Sequence, residues 1–147
     1  MGNRAKLYVI LALLAVGAGL GYYLTRTSST AQTDPLTPEG KAYVENLRLS
    51  DVGMKATESY VGQTIVEIEG KIGNVGTRAL DQVEVYCIFY DAYGQMVLRK
   101  RLAIVASNKG GALQPGGNRS FRLPFDDLPP SWNNAMPHLV IASVKFS

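Results

Sequence analysis

One cysteine, one histidine and one tryptophan are spread over 147 residues, and each scarcity removes a class of chemistry. A lone thiol, Cys87, cannot close an internal disulfide, so the thiol count neither supports nor excludes an oxidising compartment. Cys87 and His138 together fall short of the four-coordinate N/S set of a zinc site. A thiol–imidazole dyad is disfavoured too. Cys87 lies mid-strand on the face shared with Val83, Val85 and Phe89, where a thiol behaves as a small buried hydrophobe and ionises reluctantly. Net charge is also low in the downstream part. Three of the fifteen basic residues, Arg4, Lys6 and Arg26, precede Thr27, leaving twelve against twelve acids. A near-neutral domain without clustered Lys and Arg lacks the electrostatic footprint that phosphate backbones require, so no nucleic-acid partner is expected. No acid–base pair or cofactor motif stands out, and the expectation is a non-enzymatic chain with no cofactor.

What the chain does have is one long apolar run. Leu7 to Leu24 is free of charge, and at 1.5 Å per helical residue it reaches roughly 27 Å, the thickness of a bilayer's hydrocarbon core. Leu7, Tyr8, Leu14, Gly17, Gly21, Tyr22, Tyr23 and Leu24 are the residues expected to meet the lipid bilayer, the tyrosines near the two ends where an amphipathic ring is stable. Arg4 and Lys6 before the run, with only Arg26 after it, predict the N-terminus inside and the remainder outside the cytoplasmic membrane, in the periplasm. Ser29-Thr30-Ala31 offers a signal-peptidase alternative, but the run exceeds the usual ~7–15-residue core of a cleaved signal and Arg26 interrupts the approach. Myristoylation is weaker still, because Lys6 stands where Ser or Thr is wanted. Gly17 and Gly21 are spaced so that two helices could approach closely, which leaves a homodimer open.

Residues 1–26 therefore read as an anchor, 27–40 as a small, polar, Pro-containing linker, and 41–147 as the folded domain. Within the last, Tyr43 to Val52 alternates loosely and reads as a first strand, with Gly53 to Gly62 connecting. Thr64 to Ile72 puts Val66, Ile68, Gly70 and Ile72 on a core face and Glu67, Glu69 and Lys71 on a wet one. Asn74 to Thr77 turns the chain. Val83 to Asp91 is apolar or aromatic on both faces, which suggests a central strand, and Gly94 closes a tight hairpin that needs a positive φ. Met96 to Ala106, Arg119 to Phe125 and His138 to Phe146 complete six strands. Gly/Pro turns between them, and no helical periodicity after residue 40, predict an all-β antiparallel sandwich.

Gly70-Lys-Ile-Gly-Asn74-Val-Gly76, Val83-x-Val85, Cys87-Ile-Phe-Tyr-Asp91, Gly94 and Leu113-x-Pro115-Gly116 before Phe121 resemble the bacterial FxLYD-type domains, and more distantly the WHy-type domains of stress-associated proteins. The resemblance covers roughly residues 60 to 147. It departs from the naming motif at Cys87, where Phe is usual, and at Phe89, where Leu is. It implies an Ig-like sandwich behind a signal or transmembrane segment, and it carries no catalytic residues to transfer.

Candidate surfaces follow from residue type. Trp132 and Met136 sit in a Pro-rich loop, and Trp is a frequent interface anchor, although an indole folding back to plug the end of the sandwich is the commoner use. Arg99 and Arg101 share one face of a strand while Lys100 takes the other. They suit a solvated strand guarded against edge pairing, or attraction to anionic headgroups or an acidic partner. Asp91, Asp126 and Asp127 at strand ends could meet a hard cation, although turn-forming Asp is commoner. The leading functional expectation is a membrane-tethered interaction module, an accessory subunit or adaptor of a membrane or envelope complex. The alternative is a stress or chaperone-like protein holding unfolded clients or lipid.

Overall fold

Period-two alternation decides the burial pattern of most strands. In the computed structural model, which describes residues 35–58 and 64–147, Thr64–Asn74 (β2) buries Val66, Ile68 and Ile72, and Leu80–Tyr90 (β3) buries Leu80, Val83, Val85, Cys87 and Phe89. Leu47–Glu58 (β1), Met96–Ala106 (β4), Asn118–Phe125 (β5) and His138–Phe146 (β6) complete the set. They form two antiparallel three-stranded sheets, ordered β1-β2-β5 and β4-β3-β6. The inner faces share one core. Phe89 of one sheet meets Phe125 of the other edge-on, ring centroids 5.0 Å apart, and each fully buried apolar side chain of this kind contributes roughly 1.5–3 kcal/mol. The all-β, two-sheet expectation holds, with β3 central as its two apolar faces required. The expected anchor, Leu7 to Leu24, lies outside the described residues. Among the described residues no helix is long and apolar enough to cross a membrane.

The first strand is a correction. Pro38–Tyr43 is a short helix (α1) and Val44–Asn46 a 3-10 turn, so the strand begins at Leu47 rather than Tyr43 and continues to Glu58 through the segment expected to be a connection. The helix starts where its signals are. Thr37 caps it by accepting from Gly40 N at 3.0 Å, Pro38 occupies the first turn, and Glu39 follows at the positive end of the dipole. Leu36 packs on the core and Gly40 is buried, so the expected linker contributes residues to the fold. As an edge strand, β1 is exposed over most of its length, and alternation could not mark it. Its pairing with β2 shifts register between Ser50 and Gly53, where Asp51 takes φ 52°. Such a bulge on an open edge obstructs pairing with a foreign strand.

A buried polar knot fixes the end of the sandwich where the chain enters. Asn74 is 1% exposed. Its amide nitrogen donates to Arg78 O at 2.7 Å and Leu113 O at 3.3 Å, while its oxygen accepts from Gly76 N at 3.1 Å and from the Tyr43 hydroxyl at 2.9 Å. Its backbone is held as well, its N–H donating to Gly117 O and its carbonyl accepting from Gly116 N. Arg78 N donates to the Tyr43 hydroxyl at 3.1 Å. The ring of Tyr43 meets Phe146 edge-on at 5.1 Å, so the knot joins α1, the β2–β3 turn, the β4–β5 loop and β6.

Candidate interaction face

The two sheets present different outer surfaces. On the first, Glu67, Glu69 and Lys71 of β2 are matched by neighbours: Lys55 pairs with Glu69, Lys71 with Asp51 at 3.0 Å, and Arg122 with Glu67 at 3.2 Å and Glu69 at 2.9 Å. It is a solvated lattice of opposite charges. Hydrogen bonds from Lys55 and Arg122 hold the Glu69 carboxyl below its usual range.

On the second sheet the outward residues of β3 are Glu84, Tyr86, Ile88 and Tyr90, and the register sets their neighbours. Tyr86 lies between Arg101 of β4 and Val140 of β6, Ile88 between Arg99 and His138, and Tyr90 opposite Met96. The result is an apolar and aromatic strip, with Met96 56% and Val140 48% exposed. The Arg99 guanidinium lies 3.8 Å over the Tyr86 ring and that of Arg101 lies 5.8 Å from it. Hydrogen bonding from Arg99 and then Arg101 holds the Tyr86 phenol below its ordinary value. Arg101 is otherwise engaged, its Nε donating to Glu84 Oε2 at 2.8 Å. Burial opposes ionisation of Glu84, but donors Ser143 and Arg101 outweigh it and keep the carboxyl below its normal range. Arg99 has no ion-pair partner among the described residues.

Towards the Phe146 end the same face opens into a groove of about 610 Å³ lined by Gln82, Ala103, Lys109 and Lys145 among others. The small side chain of Ala103 opposite Glu84 leaves the floor low. Lys100 points the other way, as its alternation requires, and its ammonium binds Asp127.

The remaining sequence candidates are placed as follows. Trp132 packs edge-on against Phe89 at 5.7 Å and donates from Nε1 to Ala135 O at 3.2 Å, so its ring covers the end of the core. Met136 is exposed in the same loop. Asn133 N donates to Tyr90 O at 3.0 Å, bringing this loop to the Tyr90 end of the second sheet, beside the hairpin whose tip residue Tyr93 is 89% exposed. Asp91 accepts from Tyr93 N and Gln95 N at 2.8 Å each, using one carboxylate oxygen to close its own turn. Among the described residues no group of three or more His, Cys, Asp or Glu is placed to hold a metal ion. Cys87 faces the core and burial pushes its thiol up to about 12. His138 pairs with the next residue, Ile88, and lies outside against the Tyr90 ring at 5.1 Å, so thiol and imidazole occupy opposite faces of the sheet. Period-two alternation put Arg99 and Arg101 on one face, but their stacking on Tyr86 depended on the β3–β4 register, which the sequence does not print. That Val140 flanks Tyr86 depends likewise on the β3–β6 register, which shifts between Glu84 and Val85.

No protein-family model matches the chain, and no curated protein matches it. Among solved structures it is similar to an ApaA protein from Bordetella pertussis, 17% identical, over 68% of this chain and 90% of that one, with a TM-score of 0.40, a likeness too slight to carry an argument.

Proposed function

We propose that this chain is a membrane-tethered, non-enzymatic interaction module, an accessory subunit or adaptor of a membrane or envelope complex. Residues 7–24 hold it in the cytoplasmic membrane, and an Ig-like, FxLYD-type sandwich stands outside the cytoplasm. The observation that carries this reading is the contrast between the two outer faces. One sheet is closed off by its own ion pairs, while the other exposes Met96 and Val140, with Tyr86, Ile88 and Tyr90 half-buried between them, beside Arg99, which has no ion-pair partner among the described residues. An apolar patch rimmed by polar groups marks binding surfaces on soluble domains. The positions within the domain suit the role as well. Pro35 and α1 lie at the Phe146 end, α1 packing on β6, whereas the hairpin tip at Tyr93 is at the other end of β3.

The test is purification of the full-length chain in detergent with crosslinking and mass spectrometry, beside a version whose Leu7–Leu24 segment is replaced by a neutral anchor. A stoichiometric set of membrane proteins with the native chain is the expected outcome. Purification alone, or with a random sample of unfolded clients, would move the chaperone-like reading ahead. An alkaline phosphatase fusion after Ser147 is expected to be active, and an inactive one would put the domain in the cytoplasm.

A further inference from the structure

The occupant of the second sheet's outer face can be narrowed by its charge, an inference that rests on the interaction-module reading above. Along β3, from Gln82 to Tyr90, the face is roughly 26 Å long at 3.3 Å per residue, about the reach of eight extended residues. Four cations border it, Lys109 and Lys145 at the groove and Arg101 and Arg99 further along, against the carboxylates Asp81 and Glu84. Glu84 is already occupied by Arg101, Ser143 and Gln82. The excess is positive, and its most available member is Arg99. Its guanidinium carbon sits 3.8 Å over the Tyr86 ring, which holds it against the sheet without neutralising it. A planar donor fork already held against a ring is suited to donate to a carboxylate, because part of the ordering cost of binding has already been met by the fold. Beside it, Ile88, Val140 and Met96 offer apolar contact to side chains on the same side of an incoming chain.

We propose that this face docks an acidic, hydrophobe-containing segment of a partner protein, with a carboxylate of the partner on Arg99, its apolar side chains over Ile88 and Val140, and its far end in the groove beside Lys109 and Lys145. A membrane surface fits less well. Its headgroups would meet cations that project freely, whereas Arg99 is stacked down on the sheet, and the most exposed aromatic residue, Tyr93, is at the hairpin tip and not on this face.

The experiment places a photo-crosslinking residue at Val140 or at Met96 in the full-length chain, irradiates cells producing it, and sequences the crosslinked peptides. Crosslinks are expected from both positions to one segment rich in Asp and Glu, falling with added salt in isolated membranes. Arg99→Glu should reduce their yield about tenfold or more, the scale of one charge-assisted hydrogen bond reversed in sign, and Arg99→Lys by less. The thermal midpoint of each variant should stay within a few degrees of the parent, since Arg99 is a surface residue. Crosslinks to lipid alone, to a second copy of this chain, to a segment without carboxylates, or in unchanged yield with Arg99→Glu, would each overturn the proposal. If partners co-purify with the native chain yet crosslink only elsewhere, the interaction-module reading survives and the acidic-segment proposal falls. If neither partners nor crosslinks are found, both fall.

Discussion

Replacing Asn74 by Ala should be the most damaging single polar substitution in the sandwich, and the consequences can be followed bond by bond. The change removes two donors and one acceptor from a site that is 1% exposed. Leu113 O keeps Leu80 N as a donor, and Arg78 O can still receive the Tyr43 hydroxyl proton at 3.1 Å. Gly76 N–H loses the acceptor that Asn74 supplied. Stranding the partly buried Gly76 donor costs about 1–3 kcal/mol and losing the Leu113 bond about 1 kcal/mol more, the Tyr43 hydroxyl being redirected to Arg78 O, so a loss of about 3 kcal/mol is expected. Tyr43→Phe is milder. It strands Arg78 N–H, while the Asn74 oxygen keeps Gly76, and should cost about 1.5 kcal/mol. Because the Tyr43–Asn74 bond is lost in both variants, the double variant should fall short of their sum by about 1 kcal/mol. The assay is urea unfolding of residues 35–147, which form one compact unit, with the thermal midpoint as a second reading. At about 4 °C per kcal/mol for a domain of this size, Asn74→Ala should lower the midpoint by about 12 °C. A drop under about 3 °C, or strict additivity in the cycle, would refute the account of the knot as a coupled unit.

Other expectations are more local. Gly76→Ala would put a Cβ 2.3 Å from the Tyr43 hydroxyl oxygen, so either the ring or the turn must move; a loss of about 2–3 kcal/mol is expected in the same urea assay. Cys87 should resist maleimide under native conditions near neutral pH and react only as fast as the domain opens, since its thiol is buried and pushed up to about 12. Glu84 has a lowered folded-state pKa, so its contribution is present above its unfolded value, near 4.5, and is lost as pH falls through the folded value. Glu84→Gln should therefore flatten the decline of stability in acid, and an unchanged acid limb would remove Glu84 from the explanation.

The parts of this molecule that announce themselves in the sequence are those governed by one face of one strand. β4 and β6 begin and end where alternation and turn residues place them, and Gly94 takes the positive φ, 77°, that the hairpin demanded. β1 was misplaced because an open edge strand buries little on either side, and because Thr37-Pro38-Glu39, a recognisable helix start, lies in what otherwise reads as linker. Asn74 reads as an ordinary turn residue. Its burial follows from Tyr43 and Leu113 arriving from distant parts of the chain, and no local pattern encodes that. The candidate face shows the same division. The shared side of Arg99 and Arg101 is a matter of period two, whereas the stacking on Tyr86 depends on which residue of β4 lies opposite which of β3, across a register shift between Val83 and Glu84.

The knot at Tyr43 also has a mechanical meaning. A pull applied at Pro35, as any tether upstream would apply it, reaches the sandwich first through α1, which is fastened sideways to β6 and to the β2–β3 turn by Tyr43. The adjoining strand in sequence, β1, lies on the edge of the other sheet and would peel one ladder bond at a time if the load reached it directly. With Tyr43 in place such a force would instead be divided between two sheets at their common end. Under such a load Tyr43 and Asn74 would act as a strain relief, and tension should detach the small helix before it unzips a strand.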